Sequence, residues 1–305
     1  MSTALDSPPS TSPRPAPHPR GRRRARLGLH ALAGGGGALL VGYLSLIVLI
    51  PIAALISHGL SISVSTHGAG AEFWRWHVSL GVRTFWNAVT ASGSKEAIFL
   101  SLWLSLSVAA INAVMGVAIA WVLVRDTFPG KGLVESAIDL PFALPTIVAG
   151  VVLLAIYGVN SPIHVDLFET WMGLMVALLF VTLPFSVRAV QPVLASLDLE
   201  SEAAARTLGA GSVRVFFSVV LPSIWPAVLG GFGLAFARAI GEFGSISLIA
   251  GGLGRTTTGA YYVYNLTQGF LWTDAAAVST ALLVLSLIIL VASNVLAHRY
   301  QRRTL

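Results

Sequence analysis

Long uncharged apolar runs recur along the chain and alternate with short polar segments. Three runs contain no Asp, Glu, Lys or Arg, at 39–57, 97–124 and 275–297. A helix needs about 20 predominantly apolar residues to cross a hydrocarbon layer about 30 Å thick, because its backbone must be satisfied internally. Each run therefore predicts a membrane-spanning helix.

Three further runs are long enough to span a membrane but carry prolines or charges. The runs 140–157 and 170–187 contain prolines, which kink a helix that its neighbours can still satisfy. The run 224–249 is interrupted by Arg238 and Glu242. We therefore predict an all-α membrane protein with six transmembrane helices.

The composition supports this class of protein. Of the 305 residues, 55% are hydrophobic and 10% are charged, against about 25% charged in a typical soluble domain. This excludes a soluble enzyme. The chain has no Cys, which excludes disulfides and thiolate metal sites, and its seven His residues lack any metal-binding spacing. We assign no metal.

The net charge of +6 comes from 19 Lys and Arg against 13 Asp and Glu. The basic residues flank alternate runs, which indicates membrane orientation and not nucleic-acid binding. One set of flanks holds fourteen of them and the other set holds only Arg75, Arg83, Lys95 and Arg255. Positive flanks mark the cytoplasmic side, so we predict that both termini lie in the cytoplasm.

The polar segment 196–222 has the composition of a short helix, a glycine turn and a second short helix. Three consecutive alanines leave a surface that another protein can approach closely, and Leu208, Phe216 and Phe217 offer apolar anchors. Pro222 predicts a bend before the next span. An amphipathic helix lying on the membrane is the alternative for this segment.

The string Glu202-Ala-Ala-Ala-Arg-Thr-Leu-Gly209, followed after nine residues by Val219-Val-Leu-Pro222, resembles the EAA loop of binding-protein-dependent ABC importer permeases. In that family the loop forms a coupling helix that docks into a groove of the ATPase. The usual motif Glu falls at Ala203 here, with Glu202 one position earlier. The resemblance implies ATPase-coupling roles for Glu202, Ala203, Ala204, Ala205, Gly209, Leu221 and Pro222.

Nothing in the sequence matches a phosphate-binding G-x-x-x-x-G-K-[ST] loop. The chain therefore has no catalytic site of its own for ATP hydrolysis and no cofactor. A separate ATPase that binds ATP and Mg²⁺ is implied.

Arg238 and Glu242 are the most informative charges in the sequence. Arg238 lies about 24 Å along a helix from Pro222, near the bilayer centre, where an isolated Arg costs at least about 2.5–3.5 kcal/mol. Glu242 at i+4 can pair with it. Two interpretations stay open: an ion pair that holds helices together, or a translocation path for an oxyanion lined by Arg238, Gly241, Glu242 and Ser245.

Two smaller polar features belong to neighbouring spans. Asp139 either caps a helix that starts near Pro141 or lies in the cytoplasmic vestibule, and capping is the preferred interpretation. Asn112 predicts a hydrogen bond between helices.

The string Ala237-Arg-Ala-Ile-Gly-Glu-Phe-Gly-Ser245 resembles sulfate and molybdate permease subunits. Ile138-Asp-Leu-Pro-Phe-Ala-Leu-Pro-Thr-Ile-Val-Ala-Gly150 is closer to the T-type (CysT) subunits of sulfate/thiosulfate importers. The resemblance implies a type I ABC importer permease in the plasma (inner) membrane that moves sulfate and thiosulfate inward. It also implies a second permease of the W type, two ATPase subunits and an extracytoplasmic sulfate-binding protein.

We divide the chain accordingly into a disordered Pro/Arg-rich cytoplasmic tail (1–38), a first transmembrane helix (39–57), an extracytoplasmic loop (58–95), a permease core (96–298) and a basic tail (299–305). A cleaved signal peptide is the alternative for the N-terminus, disfavoured by the length of the first apolar run. The alternative functions are a molybdate or tungstate permease, a secondary anion transporter, and a membrane scaffold without transport.

Overall fold

The computed structural model describes residues 41–60, 71–251 and 254–304. All the regular secondary structure in these ranges is helical, which confirms the all-α prediction. The predicted tail 1–38 lies outside the described residues. We number the helices α1 Val41–Leu60, α2 Ala71–Thr90, α3 Ser92–Arg125, α4 Lys131–Ala143, α5 Thr146–Tyr157, α6 Trp171–Ala195, α7 Leu199–Thr207, α8 Ser212–Ile240, α9 Gly244–Ser247, α10 Gly259–Gln268 and α11 Trp272–Thr304.

Five of these helices, α1, α3, α6, α8 and α11, are each long and apolar enough to cross a membrane. The bent pair of α4 and α5 gives a sixth candidate span. Each of the six predicted apolar runs therefore overlaps one of these elements.

The start predicted for the third span, residue 140, is wrong, because the helix already begins at Lys131, and the kink that its prolines predict is a sharp break. The chain forms α4 and α5, which meet at an angle of 116°. Leu144 adopts an extended conformation immediately before Pro145, as the steric demand of a following proline dictates. Asp139 lies inside α4 and caps no helix, so the capping prediction is also wrong.

The fifth predicted span is shifted along the chain. Helix α8 ends at Ile240, so the prediction that one helix continues to residue 249 is wrong. The helix already begins at Ser212 and passes through a π-helical stretch, Phe216–Val220, directly ahead of Pro222. This wider turn accommodates a residue that has no N–H group, so α8 continues through Pro222 as one helix.

The segment 58–95, which the sequence analysis treats as a loop, contains a helix. Helix α2 covers Ala71–Thr90 within it, and α3 starts only two residues later at Ser92. The run of Trp and Phe residues in this segment therefore lies on a helix and not on an irregular loop.

Helices α3, α6 and α8 form the centre of the fold. Buried side chains of all three meet in one cluster at their ends nearest the segment 196–222, with members such as Ala120, Val190 and Ile224. A second cluster joins α3, α8, α10 and α11 around Phe236. The amide of Asn112 in α3 donates to the Thr182 hydroxyl at 2.8 Å and to the Leu179 carbonyl at 3.1 Å in α6, which confirms the predicted bond between helices.

Gly116 allows α3 and α6 to approach closely. A Cβ atom at this position would lie 2.8 Å from the Ser186 Cβ and 2.9 Å from its backbone carbonyl carbon. A Cβ atom at Gly230 in α8 would have no heavy atom within 4 Å outside the backbone of its own helix. The two glycines therefore offer a matched comparison on helices of the same core.

We expect Gly116→Ala to lower the thermal unfolding temperature of the purified protein in detergent. The added methyl forces α3 and α6 apart, and overpacking of this kind costs typically about 1–3 kcal/mol. Gly230→Ala is the control and should leave the temperature unchanged or raise it, because Ala is the better helix former. Equal effects of the two substitutions would contradict the packing of α3 on α6.

Candidate functional site

The segment between α6 and α8 folds as the helix and glycine turn that its sequence predicts. Helix α7 starts where the Asp198 carboxylate accepts the Glu200 N–H at 2.9 Å. It ends at Thr207, and the turn that follows contains Gly209, whose φ of 81° is left-handed, with the Ala210 N–H bonded to the Ala205 carbonyl at 3.1 Å. This termination favours glycine because a side chain would be strained there.

The predicted coupling residues are distributed between the surface and the interior of this segment. Ala203, Ala204 and Gly209 are exposed, and Ala205 is half-buried. Leu208, predicted as an apolar anchor, is 88% exposed. These residues form a small, continuous, uncovered surface on α7 and its terminal turn, which we call the α7 surface.

Glu202 faces the opposite way, into the protein. It is only 6% exposed, and its carboxylate forms an ion pair with the guanidinium of Arg125, the last residue of α3. Glu202 is therefore not part of the α7 surface, although it lies next to Ala203 in the chain. Leu221 and Pro222 are half-buried in α8, and Leu221 packs against the cluster shared by α3, α6 and α8.

The second set of predicted residues lies where α8 ends. Arg238 is in the last turn of the helix, Gly241 is its C-cap and Glu242 follows directly. The Arg238 Nη1 lies 2.5 Å from the Glu242 Oε2, which confirms the predicted pair. The Arg238 side chain is 34% exposed and the Glu242 side chain 1% exposed, so the carboxylate is inside and the guanidinium reaches the surface of the chain.

Glu242 also organises the break between α8 and α9. Its Oε1 accepts the Ser245 N–H at 2.9 Å, so one carboxylate is held by both sides of the break. The Ser245 hydroxyl is fully buried and has no hydrogen-bond partner among the described residues. The structure therefore brings Arg238, Gly241, Glu242 and Ser245 together within one short irregular stretch.

The break in α8 packs against the break between α4 and α5. A Cβ on Gly244 would lie 2.1 Å from the Thr146 Oγ1 and 3.0 Å from the Ile147 backbone N. A Cβ on Gly150 would lie 2.8 Å from the Ser245 carbonyl oxygen. Thr146 and Gly150 of this site were not predicted from the sequence, although the Leu144–Pro145 step signals the break that places them there.

An additional polar network, also missed from the sequence, links α4 to α6. The Arg188 Nε donates to the Asp139 Oδ1 at 2.8 Å, and a second guanidinium nitrogen binds Oδ2 of the same carboxylate. The Arg188 Nη1 lies 2.5 Å from the Gln191 Oε1. The network borders a pocket of about 630 Å³ that Lys131 and Glu135 also line. Asp139 thus serves as a partner for Arg188.

Within the described ranges, no group of three or more His, Cys, Asp or Glu residues could hold a metal ion. The ion pairs Arg125–Glu202, Arg188–Asp139 and Arg238–Glu242 all lie among the described residues.

Residues 112–304 match the family model described as "Binding-protein-dependent transport system inner membrane component". The chain belongs to this family. It is thus a multi-pass inner-membrane permease subunit with the all-helical type I ABC importer fold.

Within this family, the chain is similar to curated proteins that are named as sulfate permeases. The chain is 38% identical over 227 residues to the sulfate transport system permease protein CysT of Salmonella typhimurium, which covers 72% of this chain and 82% of the relative. It is 35% identical over 269 residues to the protein of the same name in Escherichia coli, covering 86% and 91%. The corresponding values for Synechocystis sp. are 36% over 262 residues, covering 83% and 85%.

Solved structures show the same fold at low sequence identity. A bacterial ABC transporter that imports the acidic polysaccharide alginate aligns with a TM-score of 0.66 at 15% identity, covering 91% of this chain and 99% of that chain. The inward-facing MetNI methionine ABC transporter aligns with a TM-score of 0.53 at 16% identity, covering 69% and 99%.

We expect Arg238→Gln to destabilise the protein and the double change Arg238→Gln with Glu242→Gln to restore most of that loss. The single change leaves a buried carboxylate without its cation, and breaking a buried pair costs typically about 3–5 kcal/mol, here at the low end because Arg238 is partly exposed. The double change removes both charges. Thermal unfolding in detergent and the yield of membrane-inserted protein measure the effect.

Arg255→Gln removes the same charge from an exposed residue of the same region of the chain and serves as the control. A double variant as unstable as the single variant would show that the two side chains do not act as a pair.

Proposed function

We propose that this chain is a permease subunit of an ATP-driven importer that carries sulfate, and thiosulfate as a second substrate, into the cytoplasm. It pairs with a second, homologous permease of the W type to enclose the path. Two ATPase subunits bind ATP and Mg²⁺ on the cytoplasmic side, and an extracytoplasmic sulfate-binding protein delivers the anion. The chain itself carries out no chemical step.

The similarity to sulfate permeases is the observation that carries the choice of substrate. It extends over 72–86% of this chain and 82–91% of the two enterobacterial relatives. The Escherichia coli relative matches 86% of this chain, so its match includes both the α7 segment and the end of α8. The alginate transporter structure that contains a substrate-bound periplasmic protein supports the presence of a delivering partner.

The exposure of the α7 surface supports it as the site where the ATPase binds. It is exposed and is formed mainly by small residues, Ala203, Ala204 and Gly209, with Leu208 as an exposed apolar side chain. Small side chains permit close approach, and an exposed Leu beside them provides an anchor that a partner can bury. Basic residues flank this end of the spans, which supports its cytoplasmic location.

The side chains at the end of α8 support the proposal that the anion path passes there. A sulfate ion that leaves water needs hydrogen-bond donors or positive charge in their place. Arg238 is partly exposed although its counter-ion Glu242 is buried, so the cation is the member of the pair that an anion can reach. Gly241 is exposed beside it. The Ser245 hydroxyl is buried in the same stretch and is a donor without a partner among the described residues.

We expect cells that lack this chain to lose uptake of labelled sulfate and to recover it when the intact chain is returned. An excess of molybdate should not reduce the recovered uptake, whereas thiosulfate should. The double variant Arg238→Gln with Glu242→Gln, compared at equal membrane level, should show uptake lower by about tenfold or more, because a charge-assisted hydrogen bond contributes roughly 1.5–3 kcal/mol.

The Arg255→Gln variant should retain normal uptake in the same cells. Sulfate uptake that survives deletion of the chain while molybdate accumulation falls would show that a different oxyanion is transported. A folded double variant with full uptake would restrict the Arg238–Glu242 pair to a structural role.

A further inference from the structure

Helix α7 is joined to the rest of the chain by more than its two connecting segments. Around it, Ser201, Ala203, Ala204, Arg206 and Thr207 are exposed. Ala205 is half-buried, and Glu202 is the buried residue of α7, paired with Arg125 at the end of α3. Since α3 is separated from α7 by more than 70 residues of sequence, this contact ties together elements that the chain connectivity leaves apart.

Arg125 is itself held in place on α3. Its guanidinium carbon lies 5.6 Å from the centre of the Trp121 ring, one turn earlier on the helix. Trp121 packs edge-to-face on Phe216 of α8 at 5.3 Å between ring centroids, and Phe216 packs in the same way on Phe217 at 5.1 Å. The ion pair therefore joins α7 to an ordered contact between α3 and α8.

The burial of Glu202 makes the position of α7 relative to α3 depend on this ion pair. Its side chain is 9% exposed and that of Arg125 is 17% exposed, so water screens the pair far less than a surface ion pair. A carboxylate buried next to a fixed guanidinium has one favourable position, and α7 cannot shift relative to α3 without separating the two charges.

We propose that the Arg125–Glu202 pair is a mechanical link that makes α3 move with α7, so that displacement of α7 by the ATPase reaches the core helices together. Connectivity already joins α7 to α6 on one side and to α8 on the other. The pair adds α3, the third member of the cluster at this end of the fold. Glu202 and Arg125 are thus positioning residues for transport, a role that rests on the proposed function.

The absence of cysteine from the sequence permits a direct test with two introduced spin labels. Ser201→Cys places one label on the exposed face of α7, and Ile111→Cys places the other on an exposed position of α3, about 21 Å along the helix from Arg125. Pulsed electron paramagnetic resonance then gives the distribution of distances between the two labels on α7 and α3. It is recorded for the isolated chain and for the complex with its ATPase.

The intact pair should give a narrow distribution that ATP leaves unchanged in the complex. Glu202→Gln should broaden it already in the isolated chain, and Glu200→Gln, which removes the same charge from an exposed position of α7, should not. A narrow distribution in the Glu202→Gln chain, or a shift of several Å on ATP binding with the pair intact, would overturn the link.

Transport provides a readout that folding alone would not change. In membrane vesicles containing the whole complex, Glu202→Gln should lower the sulfate transported per ATP hydrolysed by at least about fivefold, the lower end of typical coupling between sites. The exchange Arg125→Glu with Glu202→Arg should recover part of that ratio. An unchanged ratio in Glu202→Gln would overturn the link.

A failure of the proposed sulfate transport can be distinguished from a failure of the link between α7 and α3. If the complex with the intact chain hydrolyses ATP but transports no sulfate, the substrate is wrong, while the distance distribution in the isolated chain still decides for or against the link.

Discussion

Backbone groups at a break in a membrane helix must find partners inside the protein, because lipid offers none. Two such breaks lie within the part of the chain that the structure describes, at Leu144–Pro145 and after Ile240. The structure packs them against each other, with Gly150 and Gly244 allowing the close contact. Glu242 then satisfies the Ser245 N–H and neutralises Arg238. The proposed anion path therefore depends on a requirement of the backbone as much as on the charges.

Helices α3, α6 and α8 connect the two packed breaks to the end of the fold where α7 lies. Helix α8 carries Arg238 in its last turn and emerges from the α7 segment at its other end. Helix α6 leads into α7, and α3 packs on both. A permease core of this kind can transmit displacement of α7 as a shift of whole helices, because closely packed interiors respond by discrete rearrangement and not by continuous deformation.

Features set by local chemistry could be predicted from the sequence. The six apolar runs, the helix and turn that end at Gly209, the Asn112 bond between helices and the Arg238–Glu242 pair all follow from composition or short spacings. Long-range geometry could not be predicted. The sequence gives no sign that Glu202 faces Arg125 or that Asp139 binds Arg188, because each partner lies dozens of residues away and either acid could equally have faced solvent. The π-helical stretch before Pro222 was missed because a proline alone predicts a bend.

Reconstitution tests the central claim most directly. The chain would be purified from membranes with its associated subunits, placed in lipid vesicles, and supplied with ATP and Mg²⁺ on one side and the loaded sulfate-binding protein on the other. The account predicts sulfate accumulation against its gradient that requires ATP hydrolysis and the binding protein together. Accumulation without ATP, driven by an ion gradient alone, would contradict it and indicate a secondary transporter.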